Sequence, residues 1–235
     1  MPRAQPRAAR ARRAADPPGR KSAVPPSRQT REFSQQRAHD THAALMSAAR
    51  AVFAEVGFDA AQTPDIARRA GVSVGTFYRY FHDKRQAFVE LISEHLAAAH
   101  EDIFARLQPE RFAASVPVGD RRAAVDAVLE VIFGFLARFP GIERVYLEMS
   151  LRDPEVARLR MEFEEKGRLA LAQLIEALVP RSRVPDARAA AQVIQVAVLE
   201  VAIGALGVRG PHHPGAAPEV VREALAQMID RYLFS

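Results

Sequence analysis

The chain has 235 residues, 49% apolar and 26% charged, the usage of a globular protein with a sizeable core and not of a fibrous or low-complexity one. It holds no cysteine, which excludes a disulfide framework, a thiolate metal site and a cysteine nucleophile. The net charge of +5 is uneven: residues 1–38 carry ten Arg and Lys against Asp16 and Glu32, a net of +8, and residues 39–235 carry a net of −3.

The first 38 residues combine Pro, Ala and Arg with few large apolar groups, as in Pro17-Pro18-Gly19 and Pro25-Pro26. Such a segment buries too little surface to offset its ordering entropy and is expected to be a disordered basic arm. Its charge suits a polyanion, with an attraction that falls as salt rises, or serves only solubility. The N-terminus has no apolar run of the signal-peptide kind. The longest apolar stretch, 193–208, is interrupted by Gln195 and Glu200, short of the roughly 18 uninterrupted residues of a membrane span. A soluble, cytoplasmic chain without a membrane partner is the expectation.

From His39 the pattern changes. Leu45, Ala49, Val52, Phe53 and Val56 recur at helical spacing, one face of an amphipathic helix that Gly57 ends. Thr63-Pro64-Asp65 then supplies a capping hydroxyl, proline at the first helical position and an acid in the first turn. Gly71 stops that helix within two turns, and Ser73 caps the next, which runs through Tyr80 and Phe81. Downstream, helical periodicity predicts helices at about 84–107, 120–139, 142–150, 155–179, 186–207 and 217–233, punctuated by Pro and Gly. No window alternates with a period of two. The expected fold class is all-α, an N-terminal three-helix helix-turn-helix domain (39–99) followed by a larger helical bundle (100–235).

Two short helices joined by a glycine turn, 63–70 and 73–81, have the dimensions of a helix-turn-helix. At about 100° per residue, Val74, Phe77 and Phe81 share one arc and are expected to pack on the preceding helix. Gly75, Thr76, Arg79 and Tyr80 occupy the opposite arc, with Tyr78 on the flank. Arg79 suits a guanine edge, the Thr76 methyl a thymine methyl, and Gly75 allows close backbone approach. Tyr78, Lys84 and the helix N-termini at Thr63 and Ser73 suit phosphates. An ordinary helical hairpin with a solvated face accounts for the pattern equally well. The module itself is neutral, because residues 39–84 hold five Arg or Lys and five acids. Arg31 and Arg37, near the first helix, are placed to reach an adjacent minor groove.

The run Ala51-Val52-Phe53, Gly57-Phe58, Thr63, Ile66-Ala67 and Ala70-Gly71-Val72-Ser73-Val74-Gly75-Thr76-Phe77-Tyr78-Arg79-Tyr80-Phe81, with Lys84 beyond, resembles the DNA-binding domain of TetR-family transcriptional regulators over about residues 39–99. Tyr80 stands where many members have histidine, and Phe77 where many have leucine. Phe139-Pro140-Gly141 and Leu151-Arg152-Asp153-Pro154-Glu155-Val156 resemble part of the family's regulatory domain. The resemblance implies DNA contacts at Thr63, Ser73, Val74, Gly75, Thr76, Tyr78, Arg79, Tyr80 and Lys84. It also implies a homodimer, double-stranded DNA with a near-palindromic operator, an unidentified small-molecule effector that releases the DNA, a repressor role, and no cofactor.

An enzymatic alternative is a serine hydrolase, since Gly71-Val72-Ser73-Val74-Gly75 matches the G-x-S-x-G nucleophile elbow. That elbow requires a strand entering the turn, and here the entering segment reads as a helix. The seven histidines show no metal-binding spacing, and His212-His213 lies in a Pro- and Gly-flanked loop. Phe104, Phe133, Tyr146, Met149, Met161 and Phe163 are candidates to line an effector pocket, with His100, Arg144 or Glu148 as polar anchors. Val193, Val196, Leu199 and Ile203, with Val221, Leu225, Met228, Ile229 and Tyr232, suit a four-helix dimer interface; Val196, Leu199, Ile203, Leu225, Met228 and Tyr232 are the residues assigned to it.

Overall fold

The computed structural model describes residues 28–104, 107–115, 120–208 and 216–234, and every regular element among them is helical. By its internal contacts the chain divides into Met1–Ala38 and His39–Ser235. Helix α1 (Arg28–Ala60) takes in the end of the first unit, so 11 residues expected to be disordered are helical. Gly57 breaks α1 with φ 79° and ψ 176°, a conformation that a side chain disfavours. Helices α2 (Thr63–Arg69) and α3 (Val74–Tyr80) follow, joined through Gly71 at φ 70°.

Helix α4 (Lys84–Ala99) continues into a π-helical turn, His100–Phe104. The chain continues with α5 (Pro109–Ser115), α6 (Arg121–Arg138), α7 (Pro140–Ser150), α8 (Pro154–Leu178), α9 (Ala187–Ala205) and α10 (Pro218–Phe234). Helix α5 lies where the sequence shows only a proline stop, because Pro109 opens a helix there. Asp83, Asp120, Asp153 and Asp186 each accept a backbone N–H at the start of the helix that follows, satisfying donors that the helix itself leaves unpaired.

Phe53, Phe77, Phe81 and Phe88 are fully buried in a first core that also takes Ile142, Val145 and Met149 of α7 and Val156 of α8. The helix-turn-helix therefore shares its core with the bundle. A second core joins α6, α8, α9 and α10, and a third lies around Phe104, Phe112 and Phe135. Helix α9 is long and apolar enough to cross a membrane, but its Ala190, Ala191, Ile194, Val198 and Ala202 are buried against α6, α8 and α10. Core helices carry the same composition. Gly141, in the first turn of α7, meets α1 so closely that an added Cβ would sit 2.9 Å from both Ala54 Cβ and Ala54 O.

Candidate functional site

The turn between α2 and α3 is set by local bonds. Ser73 Oγ accepts the Thr76 N–H at 3.1 Å and lies 2.9 Å from Thr76 Oγ1, so the serine caps α3. Helix α2 enters this turn and there is no strand among the described residues, so the nucleophile-elbow geometry of a hydrolase is absent there. The cap of α2 differs from expectation: Thr63 is its first helical residue, and Gln62, whose carbonyl receives Asp65 N–H and Ile66 N–H, holds the cap position. The Thr63 hydroxyl instead faces Tyr78, with Oγ1 and Oη 3.2 Å apart.

Phe77 and Phe81 are buried as the helical arc requires, but Val74 is 38% exposed. It sits in the first turn of α3, ahead of the point where the two helices close. Outward-facing residues of α3 are Gly75, Tyr78 and Arg79, with Thr76 half-buried. A Cβ at Gly75 would meet only Ser73 Oγ, at 3.7 Å. Arg68 and Arg69 on α2 are held by Asp65 and Glu55, each at 2.6 Å. The Arg69 guanidinium keeps the Glu55 carboxyl below its ordinary range. Arg79, by contrast, has no hydrogen-bond or ion-pair partner among the described residues. The Tyr80 ring is half-buried beside His42, with centroids 5.9 Å apart.

Lys84 departs from the expected phosphate contact. Its Nζ donates to the carbonyls of Phe58, Asp59 and Ala61 at 3.0, 3.0 and 2.9 Å and lies 5.0 Å from the Phe58 ring centre. Three acceptors use all three ammonium protons, so Lys84 fastens the broken end of α1 to the start of α4.

Beyond α3, polar bonds join the helix-turn-helix to the bundle. Arg85 of α4 clasps Asp153 through two bonds of 2.6 and 2.9 Å, and Arg152 bonds Asp59 at 2.8 and 3.1 Å. Deeper, Arg50 Nη1 lies 3.4 Å from His95 Nδ1, and His95 Nε2 lies 2.6 Å from Glu143 Oε1. A guanidinium can only donate. Nδ1 is therefore the acceptor, and Nε2 carries the proton given to Glu143.

An internal cavity of about 120 Å³ opens beside this relay, between α4, α6, α7, α8 and α9. Phe104, Tyr146 and Phe163 line it, as the sequence suggests. Phe133 and Met149 do not: Phe133 is packed in the α6/α8–α10 core and Met149 in the core shared with the helix-turn-helix. Met161, Arg144 and Glu148 are exposed, and His100 is exposed against Phe104. The polar members of the wall are His95, Glu143, Tyr146, Arg160, Glu164 and Gln195. Of these, only Tyr146 is recognisable in sequence, since nothing in a helical pattern marks a polar residue as buried rather than solvated.

Residues 45–91 match the family model described as bacterial regulatory proteins, tetR family. Those residues carry that family's DNA-binding domain. It is 25% identical over 189 residues to the HTH-type transcriptional regulator EthR of Mycolicibacterium smegmatis, spanning 80% of this chain and 84% of that one. An uncharacterized HTH-type transcriptional regulator of Mycobacterium bovis is 32% identical over 108 residues, 45% of this chain and 57% of that one. Among solved structures, a TetR-family regulator from Mesorhizobium loti superposes with TM-score 0.68 at 18% identity, covering 84% of this chain and 96% of its own. A regulator from Saccharomonospora viridis in complex with choline gives TM-score 0.65 at 18% identity, covering 80% and 95%. The chain is accordingly a DNA-binding transcriptional regulator with a TetR-type helix-turn-helix and an all-α fold.

The face that the sequence assigns to dimerisation divides in two. Val196 of α9 is 57% exposed, and Met228 and Tyr232 of α10 are each 50% exposed, with Val193 and Val220 also outward. Leu199 is half-buried and lines the cavity. Ile203 and Leu225 are buried inside the chain. Their place in the apolar stripe is real, but it faces inward, because each helix packs one side of that stripe on its neighbour.

Proposed function

We propose that the chain is a homodimeric repressor that binds a near-palindromic operator through α3 and releases it when a small effector occupies the internal cavity. The observation that carries this reading is the outward face of α3, where Arg79 has no partner among the described residues while the neighbouring arginines of α2 are engaged. Gly75, Thr76, Tyr78, Tyr80, Val74, Ser73 and Thr63 would surround it at the DNA. A free guanidinium beside a glycine and a hydroxyl suits a base edge in the major groove. The exposed apolar residues of α9 and α10 supply a face on which a second copy would place two recognition helices about 34–36 Å apart. The Saccharomonospora viridis relative, solved with choline, supports a small-molecule role for the bundle. Linkage then requires the effector to prefer a dimer shape that fits the operator poorly.

The test is selection of bound fragments from genomic DNA, with sedimentation of the free protein. The expected results are a palindromic sequence, a dimer, and reduced transcription in vitro from a promoter carrying that sequence. Val196→Asp with Met228→Asp is expected to yield monomer and to weaken operator binding. A monomer that selects no sequence above background overturns the reading.

A further inference from the structure

The cavity wall is apolar over most of its area, and its charged members are already balanced. Arg50, His95 and Glu143 form one neutral relay, a guanidinium donating to the imidazole and the imidazole to the carboxylate. Arg160 Nε donates to Glu164 Oε1 at 2.6 Å, with Nη1 donating to Ser150 Oγ at 3.0 Å, and Gln195 donates to the Glu164 carbonyl at 2.9 Å. Tyr146 stands apart. It is 7% exposed and lines the cavity, and its hydroxyl has no hydrogen-bond partner among the described residues. Burial pushes its ionisation well above the ordinary phenol range, so it remains a neutral donor. Among the described residues no fully buried side-chain N or O atom lacks a partner, so the Tyr146 hydroxyl is open to the cavity, where the acceptor of a ligand can take its proton in a hydrogen bond.

From this we propose that the cavity binds a neutral, largely apolar molecule the size of a single substituted aromatic ring, whose one hydrogen-bond acceptor is taken by the Tyr146 hydroxyl. The size is bounded by the volume: about 120 Å³, beside the roughly 150 Å³ of a cavity that holds benzene, admits one ring with at most a short substituent. The neutrality follows from charge: an ionised ligand would be desolvated among groups whose charges are all paired. The proposal rests on the reading of the cavity as an effector site and specifies the effector's chemistry.

Four probes of matched size separate the possibilities: acetophenone, ethylbenzene, benzoate and benzylammonium, titrated calorimetrically into the full chain. Acetophenone is expected to bind tightest and ethylbenzene about five- to tenfold more weakly, the ratio that one neutral hydrogen bond produces. Both ions are expected to bind at least a hundredfold more weakly. Tyr146→Phe is expected to abolish the preference for acetophenone over ethylbenzene while keeping ethylbenzene affinity, a comparison that holds only in a folded protein. Ile132→Phe, which fills the space, is expected to remove binding of both. Benzoate or benzylammonium binding more tightly than acetophenone, or a preference that survives Tyr146→Phe, overturns the proposed ligand chemistry and leaves the effector site standing. Failure of all four probes to bind overturns the effector-site reading as well.

Discussion

His95 Nε2 meets Glu143 Oε1 at 2.6 Å with both side chains buried, joining α4, which carries the helix-turn-helix, to α7 in the bundle. Removing the carboxylate leaves a buried imidazole N–H without its acceptor and takes one of two nearby carboxylates, Glu94 and Glu143, from the desolvated Arg50. Glu143→Ala is expected to lower unfolding free energy by about 3 kcal/mol. The double variant His95→Leu with Glu143→Leu is expected to recover only the part of that loss owed to the stranded imidazole, because Arg50 loses its His95 acceptor as well. Urea unfolding of the three proteins checks both.

Lys84→Met removes three donated bonds to the end of α1 and is expected to cost about 1–3 kcal/mol of stability, read as a lower Tm. Its effect on DNA distinguishes two roles. If Lys84 neutralised a phosphate, the substitution would reduce the slope of log affinity against log salt by about one. The fastening seen here predicts an unchanged slope.

Arg79→Ala is expected to weaken operator binding by about 1–3 kcal/mol and to relax preference at one base position in each half-site. Binding to a library of operator variants measures this. An equal loss on every sequence would place Arg79 on a phosphate.

Much of the fold is legible from residues alone. The α3 helix, its serine cap and its buried phenyl rings follow from spacing and side-chain type, as does the dense motif from Ala51 to Lys84. The cavity is legible only in its aromatic members. Periodicity marks an apolar face but not which neighbour covers it, so it puts Phe133, Met149, Ile203 and Leu225 on the right helices and in the wrong surroundings. Lys84 shows the same limit for charge: a lysine beside a recognition helix and a lysine tying off a helix end look identical until the carbonyls of Phe58, Asp59 and Ala61 are located in space.

Asp153 gives a pH signature. The Arg85 guanidinium, with backbone N–H groups at the start of α8, holds its carboxyl below the ordinary 3.8. A depressed carboxylate contributes stability that is present above the unfolded value and lost as pH falls through the folded one. Asp153→Asn is therefore expected to lower Tm by a constant amount above about pH 5. The difference should narrow below about pH 4, where the wild-type group takes up its proton. Thermal melts across that range check the sign.

Removing residues 1–27, which carry seven Arg and Lys against Asp16, is expected to flatten the salt dependence of operator binding and leave sequence preference intact. An unchanged slope would show that those charges do not touch DNA.

The absence of a side chain at position 141 has a mechanical meaning. A Cβ there would meet Ala54 Cβ and its carbonyl oxygen at 2.9 Å, so α7 comes this close to α1 only with glycine at that position. Tyr146 lies five residues farther along the helix, roughly 8 Å at 1.5 Å per residue. Tyr146, on the cavity wall, thus shares its helix with the residue seated on α1.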